Sequence, residues 1–393
     1  MKTADFWFDL PKELIAQYPP PERGKSRLMT VDLEKGFREH RMVCELPVIL
    51  AERLSSGPGA LGPLLVFNNS RVRKARLPGR SLSAPGSAAA DFLLVNRLDS
   101  VTWRVLVEKS KRKKPGSHWE FSGGVSAEIV EAPGESAAVE NAAGIREDGF
   151  RYLRFDSPVD DDWLDIHGHI PLPPYIARPD TVSDSERYQT VYADRKAAAG
   201  LGPGASAAAP TAGLHFTGEM FAALEGAGIE AAFVTLHVGL GTFLPVRCEN
   251  VEDHVMHEEV YSIDDEAARR INSARAEGRK IVAVGTTSLR TLESAWNGER
   301  IKAGGGTTSI FIYPGYRFRS VDGLFTNFHT PGSTLLMLVS AFAENRRACT
   351  DGGRPAGHGG AALSGLGLVL ESYAAAIRAA YRFFSYGDAM LMY

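Results

Sequence analysis

The stretch Ile281-Val282-Ala283-Val284-Gly285-Thr286-Thr287-Ser288-Leu289-Arg290 sets an unbroken apolar run, a glycine, three hydroxyl residues and a helix-like pattern in immediate succession. Four apolar residues in a row suit a strand covered on both faces, and hydroxyl side chains suit the first turn of a helix. Before it, Asp264 to Glu277 reads as a helix and Lys280 to Val284 as a buried strand. Phe216 to Ala227 followed by Ala231 to Leu236 has the same helix-then-strand order, which predicts an α/β body. Beyond it, Leu335 to Phe342 reads as an apolar helix, Leu366 to Phe384 as a long second one, and Ala389 to Tyr393 as a short last strand or tail. Near the start, the run Leu64 to Phe67 leads into Asn68-Asn69-Ser70, a buried strand followed by a functional loop.

Between Arg76 and Phe155 the character changes. Asp91 to Asn96, Thr102 to Val107, His118 to Phe121, Ser126 to Val130 and Tyr152 to Phe155 are short β-rich runs without helices between them. Strands so closely spaced predict a small all-β sandwich or barrel inserted into a larger domain. The expected organisation is therefore an α/β main domain, residues 1–75 and 156–393, with an inserted small β-barrel domain, residues 76–155. Ser81 to Ala90, Lys196 to Ala209 and Cys349 to Gly365 are rich in Gly, Ala, Ser or Pro and read as surface loops.

A chain of 393 residues exceeds what one hydrophobic core supports, and 44% hydrophobic with 23% charged residues is ordinary for a globular protein. The net charge of -3 confines any nucleic-acid contact to local patches. The basic runs Arg71 to Arg76 and Lys109 to Lys114 are the best candidates. Cys44, Cys248 and Cys349 are odd in number, widely spaced and without a C-x-x-C pair, which fits a reducing cytoplasm better than a disulfide framework or a thiolate metal site. The N-terminus has no signal-peptide core and no apolar run reaches the roughly 20 residues of a membrane span.

Two segments place a histidine among Gly, Thr and apolar residues: Ala209 to Thr217 with His215, and Thr235 to Phe243 with His237. Two such segments so close together are expected to aim their rings at one substrate site, while each ring taken singly reads equally well as a hydrogen-bonded core histidine. The turn from Gly285 to Arg290 offers free backbone N–H groups to an anion, or is a well-capped helix start without a ligand. Thr326 to Thr334 brings a third histidine, His329, and an amide, Asn327, to another helix start. Gly239-Leu240-Gly241 lacks the third glycine of a dinucleotide loop, and Pro245 interrupts the helix such a loop needs. His254 and His257, with Glu258 and Glu259, would put two imidazoles on one helical face, as a metal-dependent hydrolase needs. They do not form H-E-x-x-H and no third ligand is marked by spacing, so no metal is expected there or at His167 and His169.

Taken together, these segments resemble the family of S-adenosylmethionine:tRNA ribosyltransferase-isomerases, which make epoxyqueuosine in tRNA. The resemblance runs through Phe8 to Met29, where Ser26-Arg27-Leu28 closes the first segment, then Val66 to Leu77, Pro173 to Ala193, Ala209 to Thr217, Thr235 to Val246, His254 to Tyr261, Val284 to Ser294, Thr326 to Phe342 and Tyr381 to Leu391. It implies an α/β body interrupted by a small β barrel, in agreement with the change of character after Arg76. It further implies that the ribosyl part of S-adenosylmethionine, as co-substrate, moves onto the 7-aminomethyl-7-deazaguanine wobble base of a tRNA anticodon stem-loop and is rearranged, releasing adenine and methionine. No resident cofactor or metal is implied, and the enzyme is expected to be a cytoplasmic monomer.

On that resemblance, His215 and His237 are the catalytic candidates. Arg27, Asn68, Arg71, Tyr175, Thr211, Gly213, Gly239, Gly241, Thr286, Thr287, Ser288, Arg290, Asn327 and His329 are the substrate-binding ones. Removal of a C5′ proton beside the sulfonium calls for a base, adenine departure for a donor, and the sulfonium for aromatic faces such as Phe216, Phe243 and Tyr175. The Gly285 to Ser288 turn and Arg290 would take the methionine carboxylate. Two positions depart from the family pattern: Asn69-Ser70 stands where an acidic residue and Thr are usual, and Gly332 where Lys is usual. The alternative is accordingly a divergent RNA-binding relative with weakened catalysis.

Overall fold

The computed structural model describes residues 1–55, 57, 61–82, 88–132, 149–195, 206, 208–239, 246–350 and 364–393, with the side chains of 346–350 left out. Its central layer is a sheet whose described strands, in spatial order, follow from pairing of the most apolar runs in the chain. The labels run in chain order: β1 (Arg27–Asp32), β2 (Phe37–Met42), β3 (Leu64–Asn68), β4 (Arg76–Ser81), β5 (Ala89–Arg97), β6 (Thr102–Val107), β7 (His118–Glu120), β8 (Ser126–Val130), β9 (Phe150–Phe155), β10 (Glu230–Leu236), β11 (Glu259–Ile263), β12 (Ile281–Val284), β13 (Gly304–Thr308), β14 (Gly323–Asn327) and β15 (Ala389–Met392). The sheet order is β13-β11-β10-β3-β12-β14-β15-β1-β2. Its centre, β10-β3-β12-β14, is parallel throughout.

Alternation along the central strands explains why they read as continuous apolar runs. Leu64 and Val66 of β3, with Ile281 and Ala283 of β12, join the core beneath helices Asp265–Ala276, Thr286–Ala295, Thr334–Thr350 and Gly365–Arg378. Leu65 and Phe67, with Val282 and Val284, face the other core, beneath helices Leu46–Leu54 and Gly218–Gly226. A sheet covered on both faces has no polar side to display.

The strands between Arg76 and Phe155 close into an antiparallel barrel in the order β4-β5-β6-β9-β8-β7, around a core containing Trp103, Phe92, Trp119 and Phe121. The α/β body with a small β barrel is thus observed. The first barrel strand, β4, had not been expected, because it carries Pro78 and Gly79. Gly79 is needed there: a Cβ would stand 2.8 Å from the Phe121 ring and 2.9 Å from that of Phe92.

Helix boundaries differ from expectation where capping decides. Asp264 and Thr217 cap the helices that follow them, accepting from the backbone N–H groups of Ala267 and Met220. The last helix stops at Arg378 instead of continuing to Phe384, because Ala380 turns left-handed at φ 53°. The N–H groups of Ala380 and Tyr381 then reach back to the carbonyls of Ile377 and Ala376 at 2.9 Å each, a Schellman arrangement built without glycine. The residues from His254 to Glu258 are not helical and Glu259 begins β11, so His254 and His257 share no helical face. Among the described residues, no helix is long and apolar enough to cross a membrane, and no three His, Cys, Asp or Glu side chains converge as metal ligands.

Candidate active site

The carboxyl ends of parallel strands leave a crevice where loops diverge, the usual ligand position in open α/β sheets. Here the chain leaving β12 through Gly285, Thr286 and Thr287, and that leaving β14 through Asn327, Phe328 and His329, wall a cavity of about 360 Å3. Thr211, Val238, Tyr175, Phe384, Ser385 and Trp7 complete it, and no charged side chain lines it among the described residues. That volume is within the range of small-molecule sites, about 300–1,000 Å3. Gly285 enters the helix at φ 91°, a left-handed value glycine takes without strain, while its N–H bonds the Phe325 carbonyl at 2.8 Å. The Thr287 hydroxyl oxygen has no partner among the described residues.

Asn327 is the hinge of the site. Its Nδ2 donates to the Phe384 carbonyl at 3.1 Å and lies 3.1 Å from Nε2 of His215. A carbonyl only accepts, so the amide orientation is fixed and Nε2 of His215 must also accept. His215 is therefore the neutral tautomer protonated at Nδ1. Its burial, with the positive charges of Arg382 and Arg23, lowers its pKa to about 3. Asn327 Oδ1 is left buried without a partner among the described residues. Phe384, which supplies the carbonyl, is itself strained at φ 71°.

His329 stands on the cavity wall, with its Nε2 3.0 Å from the Thr326 hydroxyl and its backbone N–H donating to the Tyr373 hydroxyl at 3.0 Å. Burial lowers its pKa to about 3. His237 follows β10 next to the wall residue Val238, and neither ring nitrogen has a partner among the described residues. Burial, then Arg73, lowers its pKa to about 4. Unfolded, all three rings titrate near 6.5. Below that pH the unfolded chain binds protons that the folded one refuses, so stability is full at neutral pH and is lost as pH falls toward 4 and 3. Urea midpoints measured between neutral pH and pH near 4 are expected to drop steeply, and less steeply in a His329→Gln variant. Equal slopes for both proteins would refute the assignment of His329 as a buried neutral ring.

Of the residues expected from sequence, Tyr175, Thr211, Thr286, Thr287, Asn327 and His329 line the cavity. The Tyr175 hydroxyl is 2.6 Å from Ser385 Oγ, and burial pushes its pKa up to about 12. His215 is attached to the wall through Asn327. Asn68 is fully buried behind the site, donating to the Leu236 carbonyl and accepting from its N–H at 3.0 Å each, so it fixes the chain that carries His237. Gly239 donates to Glu259 at 3.1 Å. Gly213 lies against Tyr192, whose hydroxyl a Cβ would overlap. Gly241 and Phe243 fall outside the described residues.

Other expected residues lie elsewhere. Ser288 is fully buried and returns its hydroxyl to the Val284 carbonyl at 2.8 Å. The Arg290 guanidinium does not line the cavity; it forms a buried ion pair with Glu259. Arg27 lies across the sheet, where it caps the last helix at the carbonyls of Ala379 and Ala380, stacks 4.1 Å over Tyr381 and pairs with Asp388. Arg71 is paired with Asp165 at 2.9 Å, and Arg73 with Asp161 at 2.5 Å, so that basic run is matched by the helix Asp161–His167. Phe216 is fully buried in the sheet core, edge-on to Phe67 at 4.8 Å, and contributes ordinary core packing, the alternative to a substrate face. Asn69 accepts from the Thr235 hydroxyl at 2.7 Å, whereas Gly332, at φ 65°, is itself on the cavity wall, against Trp7. Trp7, Phe384 and Ser385 were missed, although Phe384 and Ser385 lie inside the matching segment Tyr381 to Leu391.

The chain is similar to known proteins along its whole length. A family described as queuosine biosynthesis protein matches residues 3–350 and 360–392. S-adenosylmethionine:tRNA ribosyltransferase-isomerase of Treponema denticola is 45% identical, and that of Clostridioides difficile 43%, each with all of both chains covered. A crystal structure of S-adenosylmethionine tRNA ribosyltransferase from Thermotoga maritima is 32% identical, with 99% of this chain and all of the other covered and a TM-score of 0.48. The chain belongs to the queuosine biosynthesis family of S-adenosylmethionine:tRNA ribosyltransferase-isomerases, and thereby to the transferases.

Proposed function

We propose that the cavity binds S-adenosylmethionine, and that the enzyme transfers and isomerises its ribosyl moiety onto the 7-aminomethyl-7-deazaguanine wobble base of tRNA, giving epoxyqueuosine and releasing adenine and methionine. The observation that carries this reading is the cavity itself: uncharged, walled by Trp7, Tyr175, Phe328 and Phe384, and backed by neutral histidines. Aromatic faces accommodate a sulfonium without neutralising it. A neutral imidazole with a ring nitrogen left without a partner among the described residues, as in His237, can take the C5′ proton that the sulfonium acidifies, which an imidazolium cannot. The N–H groups at Thr286 and Thr287 suit the methionine carboxylate. Asn327 Oδ1, as a lone acceptor, suits an amine of the substrate. In this reading residues 76–155 form the inserted domain, and the protein works as a cytoplasmic monomer without a resident cofactor or metal.

Purified protein incubated with S-adenosylmethionine and tRNA bearing the aminomethyl-deazaguanine base is expected to release adenine well above a tRNA-free control. Adenine at the control level would refute the reading. His215→Ala, His237→Ala and His329→Ala assayed in parallel assign the proton transfers, since loss of a general acid or base costs about 10²–10⁴ in rate. A histidine whose removal leaves the rate intact has no part in them.

A further inference from the structure

The barrel bears a concave basic pocket that shares no residue with the cavity. Arg104 of β6, Lys111, Lys113 and Lys114 of the following loop, and Arg151 of β9 meet there, and among the described residues Glu131 is the one carboxylate that lines it. A run of lysines on a free turn would be a solvated surface only. This one is held: Arg151 donates to the carbonyls of Ser110 at 2.5 Å, Lys113 at 2.8 Å and Phe150 at 2.6 Å, fastening the loop across β9. The Arg104 guanidinium stacks 3.9 Å over the Phe150 ring, and the Lys113 ammonium stands 4.7 Å over Trp119. The stacked guanidinium keeps its N–H groups directed from its edge, and both cations have less side-chain freedom left to lose on binding. Arg104 Nε is buried with no hydrogen-bond partner among the described residues, a donor that a bound anion would satisfy.

We infer that this pocket is a second contact for tRNA, gripping phosphates of the RNA backbone and so setting the orientation in which the wobble base reaches the cavity. The inference rests on the proposed tRNA reaction. Phosphate contacts fix register without reading sequence, which is what a pocket of cations on an aromatic floor provides. In a protein of net charge -3, such a local concentration of positive charge also directs the polyanion to one face.

Lys111 and Lys114 are exposed, so replacing both by Gln leaves the barrel core untouched. In the full-length double variant the Kd for tRNA is expected to rise roughly tenfold or more, and the slope of log affinity against log salt to fall by about one to two. The Kd for S-adenosylmethionine should stay as in the parent, and Arg104→Met should weaken tRNA in the same direction. Unchanged tRNA affinity and salt slope in both variants, with the parent active, would overturn the pocket and leave the reaction standing. A parent that binds tRNA without releasing adenine, while the variants bind weakly, would leave the pocket standing and remove the reaction. Equal loss of S-adenosylmethionine and tRNA binding in the variants would mark a structural role and also overturn the inference.

Discussion

Asn327→Leu is expected to lower the rate of adenine release by about a hundredfold or more, the scale of losing a positioned acid or base. Leucine fills nearly the same space but withdraws both donors, stranding Nε2 of His215 and the carbonyl of Phe384 inside the protein. The imidazole then has no reason to keep its proton on Nδ1. Asn327→Asp makes the sharper test. A carboxylate beside the ring favours the imidazolium, so the pKa of His215 rises from its depressed value. The acid limb of the kcat/KM profile should move to higher pH in that variant. A purely structural amide would change the rate in the leucine variant but not the position of that limb. Parent-like activity in Asn327→Leu would remove Asn327 from the machinery altogether.

Glu259→Ala is expected to be the most destabilising single change in the body. Glu259 and Arg290 are both nearly inaccessible, and the carboxylate also accepts from the Gly239 N–H at 3.1 Å. Removing one member of a buried ion pair strands the other charge, at about 3–5 kcal/mol. Replacing both, as Glu259→Leu with Arg290→Met, avoids the stranded charge and is expected to recover most of that loss. Urea midpoints decide: a double variant no more stable than Glu259→Ala would show that the pair contributes attraction in its own right.

The legible parts of the fold were those where one local rule dominates. The run Ile281 to Val284 and the turn after it became a buried strand and a helix start, because both-face burial acts within a few residues and Gly285 takes the left-handed entry; none of the hydroxyls caps the helix. The illegible parts depend on distant partners. Nothing near Pro78-Gly79 shows that two phenylalanine rings require a glycine in a strand, and nothing near Ala380 shows that Arg27 will hold its carbonyl. The same division runs through the site. Asn327 and His329 were found from their own segment, but the tautomer of His215 is set by an amide 112 positions away. Arg290 was assigned to an anion before its partner Glu259, 31 positions off, was visible. Trp7 reaches the cavity only because the folded sheet brings the N-terminal segment against the loop at Gly332.

The place of β15 between β14 and β1 has a consequence for synthesis. β1 finds its parallel neighbour only in residues 389–392, and the contact of Arg27 with Asp388 spans 361 positions. At roughly 5–20 residues per second, translation keeps the first hairpin waiting about 20–70 seconds for that neighbour. During this interval the apolar residues of β1 lack their neighbour, and the edge of β14 joins them once it has been made, whereas the barrel, whose strands are close in sequence, can close by itself. Nascent chains are therefore expected to depend on holding factors for the body and not for the barrel, and slow decoding of the codons before β15 to reduce yield without altering the finished enzyme.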